Sequence, residues 1–171
     1  PATLRLFAKH YQTNEPIPVE LVKQMRRASE FGKGLVVRTQ MVYAKLSLSI
    51  YDRPPADVNT DTFVKTLMEK YRPFPFVDGT HFQTSFGHLD GYSAVYYTYM
   101  WSLVIAKDMF SKFNKADLLA PAVAQRYRRM VLETGGSKPA DQLVEAFLER
   151  KTDFKAYEQW LNSDTPAPPV K

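Results

Sequence analysis

Gly91-Tyr92-Ser93-Ala94-Val95-Tyr96-Tyr97-Thr98-Tyr99-Met100-Trp101-Ser102-Leu103-Val104-Ile105-Ala106 is the longest stretch of the chain without a charged side chain. It falls short of the roughly 20 apolar residues that a membrane span requires. It also carries Ser93, Thr98, Ser102 and several tyrosines. The stretch therefore reads as a buried helix, the longest of the chain, from about Tyr92 to Asn114. The rest of the sequence falls into place around it. Downstream, Pro121–Glu133, Pro139–Lys151 and Asp153–Trp160 read as three more helices. Thr134-Gly135-Gly136-Ser137 stops the first of them and starts a new segment. Upstream, Pro73, Pro75, Asp78-Gly79, Gly87 and Gly91 make residues 72–91 an irregular loop. A loop of that length in a compact domain is more often functional than not.

Further upstream, Phe63, Val64, Leu67, Met68 and Tyr71 form one stripe of a helix capped by Asn59 or Thr60. Leu35–Tyr51 is ambiguous: Val36, Val37, Val42 and Ile50 favour a strand locally. Its length and the spacing Val36, Met41, Ala44, Leu48, Tyr51 decide for a helix. Pro16 and Pro18 open another helix, with Leu21, Val22, Met25 and Ala28 on one face. A short opening helix ends near Asn14. The expected fold is all-α, with residues 1–164 as one multi-helix part and Thr165–Lys171 as a Pro-rich, disordered tail.

Composition agrees with a packed chain. Of 171 residues, 44% are hydrophobic and 24% charged, the balance of a globular protein. Only seven glycines occur, which argues against a fold rich in strands and turns. With no cysteine, a disulfide framework and thiolate metal sites are excluded. The compartment stays open, the cytoplasm being preferred to the periplasm. The formal charge is +5, but the densest basic cluster, Arg126, Arg128 and Arg129, spreads around a helix instead of lining one face. Nucleic acid and membrane are thus set aside as partners. Pro1-Ala2-Thr3-Leu4-Arg5 has neither an initiator Met nor the pattern of a signal peptide, so the chain is expected to begin inside something longer.

Few residues offer chemistry. A zinc hydrolase motif needs two histidines four apart on a helix with Glu between them. The only histidines are His10, His81 and His88. No Gly-x-Ser-x-Gly elbow, Walker loop or dinucleotide fingerprint exists. What remains is the quoted stretch with its approach. On a helix Tyr92, Tyr96 and Tyr99 share a face, and His88 lies just before it. Phenols stay neutral at pH 7 and can donate to a carbonyl or a developing oxyanion. Core packing with hydroxyls satisfied at the edge explains the same stripe equally well.

His88-Leu89-Asp90-Gly91-Tyr92-Ser93-Ala94-Val95-Tyr96-Tyr97-Thr98-Tyr99-Met100-Trp101 resembles a run near the C-terminus of the thimet oligopeptidase family of zinc peptidases. That run has the form His-x-x-(x)-Gly-Tyr-x-Ala-x-Tyr-Tyr-x-Tyr-Leu-Trp. The resemblance extends upstream to Phe7–Tyr11 and Met25–Gly34. Downstream it takes in Ala106–Phe110, Arg126–Ser137 and Leu143–Trp160. It implies the multi-helix C-terminal portion of a zincin-like catalytic domain. It also implies that His88 and Tyr99 donate to the oxyanion, that Tyr92 and Tyr96 clamp the substrate, and that the loop around Gly87 and Gly91 closes on it. Tyr97 is expected to point elsewhere and pack.

The family's His-Glu-x-x-His helix and its downstream Glu ligand are missing. The chain therefore holds no metal ligand of its own, and Zn2+ is expected only in a complete enzyme that supplies the N-terminal zinc-binding part. Such a piece should be inactive alone and should expose an apolar face through which it aggregates or dimerises. The substrates implied are short peptides. The competing reading is a non-catalytic helical peptide-binding or scaffold protein.

Overall fold

The structure is a computed structural model that describes residues 2–163. The expected disordered tail, Thr165–Lys171, lies outside them. Among the described residues every regular element is helical. Nine α-helices follow in order: α1 (Ala2–Phe7), α2 (Val19–Glu30), α3 (Lys33–Tyr51), α4 (Thr60–Tyr71), α5 (His88–Gly91), α6 (Thr98–Phe110), α7 (Pro121–Tyr127), α8 (Ala140–Leu148) and α9 (Lys155–Asn162). The one β feature among the described residues is an isolated bridge between Lys9 and Pro16. No described helix is long and apolar enough to cross a membrane. The chain divides into two compact units, Gly32–Leu103 and the remainder, the division falling within α6.

The Gly32–Leu103 unit is built on α3 and α4. Gly32 enters α3 at φ 70°, a left-handed conformation that glycine adopts without a Cβ clash. The Val-rich α3 sequence is helical throughout, so tertiary packing overrides local β propensity. Of its predicted face only Ala44 is buried. Val42 and Leu46 are fully buried, whereas Val36 and Leu48 are exposed. Apolar residues surround this helix, and packing against α4 selects the side. Asn59 caps α4 by accepting the Thr62 N–H at 2.9 Å, which supplies a partner for one of the free first-turn donors. Val64, Leu67 and Met68 of α4 are buried with Val42 and Leu46, together with Phe86 and Tyr96 from the segment that follows.

In the other unit, Val144, Phe147 and Leu148 of α8 form the centre, packed by Ile105, Met109, Phe113, Val123, Tyr127 and Val131. Truncating a fully buried leucine such as Leu148 costs about 2–5 kcal/mol. Asp108 is buried on α6 and takes both ends of the Arg150 guanidinium, at 2.9 and 2.5 Å. α7 runs on into a π turn at Arg128–Leu132, closed by the Glu133 N–H on the Arg128 carbonyl at 2.8 Å. The Thr134 hydroxyl donates to the Met130 carbonyl, and Gly135 at φ 53° ends the segment. Two members of the basic cluster form ion pairs here: Arg126 with Glu149 and Arg128 with Glu133.

Further expectations need correction. The opening helix ends at Phe7, not near Asn14. His10 Nδ1 accepts the Gln12 and Thr13 N–H groups, while the His10 N–H bonds the Glu15 carbonyl, folding this stretch into a turn. The helix of the uncharged stretch starts at Thr98, not Tyr92, because Ser93 turns left-handed at φ 49°. It ends at Phe110, not Asn114, so that α3 with 19 residues is the longest described helix. Nor is the uncharged stretch a buried helix: within it Tyr96 and Val104 are buried, while Tyr97, Tyr99 and Trp101 are about half exposed.

Candidate functional site

Residues 86–99 wrap against one face of α3. Gln40, Tyr43, Ser47 and Tyr51 stand three, four and four residues apart on that helix, so they share a stripe. Each touches the segment. The Tyr51 hydroxyl donates to the Leu89 carbonyl at 2.6 Å and ties down α5. The buried Ser47 hydroxyl donates to the Ser93 carbonyl and accepts the Tyr96 N–H at 3.4 Å. One side chain thereby satisfies a backbone acceptor and a backbone donor where the helical ladder is broken. Tyr43 meets the Tyr96 ring edge-on with centroids 5.8 Å apart. The Tyr96 hydroxyl donates to Gln40 Oε1 at 3.1 Å.

The break between α5 and α6 gathers the tyrosines differently from a helical stripe. His88, at the start of α5, meets Tyr96 edge-on with centroids 5.0 Å apart and Tyr99 edge-on at 5.8 Å. Tyr92 lies 5.7 Å from His88 and 6.2 Å from Tyr99. Tyr96 and Tyr99 are 4.8 Å apart. The imidazole is thus surrounded by three phenols, spacings at which aromatic pairs attract. Phe86 buttresses it from beneath, 5.3 Å from His88 and 5.1 Å from Tyr96.

Exposure separates the three phenols. Tyr96 is 7% exposed, whereas Tyr92 is 52% and Tyr99 46% exposed, so only the last two open widely to an incoming ligand. Burial raises the Tyr96 phenol above its ordinary range. Partial desolvation also raises Tyr99, helped by the neighbouring Tyr92 phenol. Both therefore remain neutral at physiological pH. Gly87 and Gly91 flank His88 with room to spare: a Cβ on either would meet nothing within 4 Å. Tyr97 stands apart from the cluster, half exposed and not packed as expected.

Of the six residues singled out from the sequence, the structure brings His88, Tyr92, Tyr96 and Tyr99 into one cluster and leaves Gly87 and Gly91 exposed on either side of His88 in the chain. Gln40 and Ser47 were missed. Their signal was present: a polar pair seven residues apart, in register with Tyr43.

The sequence profile of Peptidase family M3 matches residues 1–163. The chain belongs to peptidase family M3. Similar proteins include the mitochondrial intermediate peptidase of Homo sapiens, 30% identical over 158 residues that make up 92% of this chain and 22% of that protein. Organellar oligopeptidase A of Arabidopsis thaliana is 32% identical over 147 residues, 80% of this chain and 18% of that protein. Oligopeptidase A of Escherichia coli is 26% identical over 160 residues, 91% of this chain and 24% of that protein. The chain thus spans about a fifth of the length of these M3 relatives. Their names cover mitochondria, chloroplasts and bacteria, and so point to no single compartment. M3 peptidases are generally zinc-dependent. Among the described residues no three His, Asp or Glu side chains gather closely enough to hold a metal ion. The donors around His88 are phenols, which do not form the His and carboxylate set that zinc takes.

Proposed function

We propose that this chain is the substrate-binding wall of an M3 peptidase that cleaves short peptides. The single observation carrying the proposal is the convergence of His88, Tyr96 and Tyr99, all within 5.8 Å between ring centroids, beside the exposed Tyr92. Hydrolysis of a peptide bond puts negative charge on the carbonyl oxygen. Neutral hydroxyl donors held in place are worth most at that atom. Tyr99 and His88 supply those donors. Tyr92 clamps the substrate from the open side and Tyr96 from the buried side, and Gly87 and Gly91 leave the peptide space beside the imidazole.

The metal of such an enzyme takes its ligands from a part of the protein outside this chain, so the chain alone hydrolyses nothing. The exposed Phe7, Tyr11 and Phe31 give that other part an apolar surface to pack on. The test uses the full-length protein. Tyr99→Phe should lower kcat about 10²–10³-fold and leave KM nearly unchanged. A change confined to KM would remove Tyr99 from the oxyanion role and leave it a binding contact.

A further inference from the structure

Gln40 is the one side chain around the aromatic cluster that decides which way a hydrogen bond runs. A phenol has one proton and two lone pairs. The Tyr96 proton is given to Gln40 Oε1, 3.1 Å away on α3. Its oxygen can then only accept. Tyr92 and Tyr99 differ. Both are about half exposed, so each hydroxyl can turn its proton toward an incoming acceptor. The wall therefore presents an acceptor, Tyr96, beside two donors, Tyr92 and Tyr99, with the Tyr96 and Tyr99 rings 4.8 Å apart. An extended peptide offers the complement, because the N–H and C=O of one residue project from the same edge of the chain.

We propose that Gln40 is a positioning residue that commits Tyr96 to accept a backbone N–H of the substrate, so that the wall reads one residue of an extended peptide by its N–H as well as its C=O. This rests on the proposed peptidase function and narrows its substrate class. At one position the substrate must carry a backbone N–H, which excludes proline, N-methyl residues and esters there. Three features favour this over simple packing. Gln40 is reached by the Tyr96 hydroxyl across fifty-six positions of sequence. The Tyr96 ring is already held by Tyr43 and Phe86, so its packing does not need the amide. And the backbone of Tyr96 is held separately, by Ser47.

The experiment is an ester scan with the full-length protein. A short peptide it cleaves is compared with analogues in which one backbone N–H at a time, away from the scissile bond, is replaced by oxygen. In the unaltered protein one analogue should lose about three- to tenfold in kcat/KM, the worth of one net hydrogen bond. Gln40→Met, which keeps the length and removes the acceptor, should abolish that discrimination at the same position. Gln40→Glu, which restores an acceptor, should bring it back, and Tyr96→Phe should abolish it. Because each value is a ratio within one variant, a loss of folded protein cancels. Discrimination that survives in Gln40→Met, or its absence at every position of the unaltered protein, overturns the role of Gln40. A full-length protein that neither binds nor cleaves any peptide overturns the peptidase function itself, and this inference falls with it.

Discussion

Replacing Arg150 with Met isolates the energetics of a buried carboxylate. Asp108 is 1% exposed and receives three hydrogen bonds: Arg150 Nη1 at 2.9 Å, Arg150 Nη2 at 2.5 Å and the Asp153 N–H at 3.0 Å. Burial alone would push its carboxyl up, but Arg150, the Asp153 N–H and Lys112 outweigh it and hold the group below its ordinary value. Arg150→Met removes two charge-assisted bonds and the opposing charge, leaving only the Asp153 N–H. Uncoupling a buried ion pair this way costs about 3–5 kcal/mol. The reverse change, Asp108→Asn, should cost less, about 2 kcal/mol. The Arg150 side chain is 40% exposed and can turn to water when its partner is lost.

The two states differ in pH dependence. In the unaltered protein the depressed Asp108 contributes stability above about pH 4 that is lost as pH falls through its native value. In Arg150→Met burial is nearly unopposed, so the native carboxyl titrates above the unfolded one. Protonation then relieves the penalty, and the variant should gain stability relative to the unaltered protein as pH drops from 7 to 5. Urea unfolding followed by far-UV circular dichroism at pH 7, 6 and 5 measures this directly. A penalty below about 1 kcal/mol, or one that stays constant across that range, would refute the description of Asp108 as a charge kept ionised by its partner.

Other outcomes follow from the same geometry. Ser47→Ala should cost about 1–3 kcal/mol in urea unfolding, since it strands the Ser93 carbonyl and the Tyr96 N–H; a cost within error would mean the break at Ser93 holds itself. Asn59→Ala should lose about 1 kcal/mol, and Asn59→Asp should retain it, because the α4 cap needs only a side-chain oxygen. Tyr96, Tyr99 and Tyr157 all have raised phenol values, so the unfolded chain loses their protons first and stability should fall as pH rises above about 10. A thermal melting temperature that is flat from pH 9.5 to 11 would contradict that burial.

Local signals in the sequence read well wherever local physics decides the structure. Pro18 opens α2, Asn59 caps α4 and Gly135 stops the segment after α7, and each acts through its own dihedral or a partner within four residues. The all-α fold was legible for that reason, even through the Val-rich α3. The start of α6 was not. Tyr92–Thr98 has the period of a helix, and what breaks it is a hydroxyl on Ser47, distant in the chain, holding the Ser93 carbonyl. The same distance hid Gln40. The tyrosines themselves were found by helical spacing and by resemblance, although they meet His88 through a turn that helical spacing does not describe.

That turn has a consequence for how such a site can change. An unbroken helix would string Tyr92, Tyr96 and Tyr99 along a line about 10 Å long, each fixed by the register of every residue around it. The left-handed step at Ser93 uncouples the two ends instead, leaving a stretch of only a few residues, Ser93–Tyr97, to set which rings reach the imidazole. Adding or deleting one residue there would re-aim the phenols, and the bonds that Ser47 and Gln40 make from α3 would have to follow. Substrate preference thus turns on the length of a short turn, within the limit that Tyr96 keeps its place in the core.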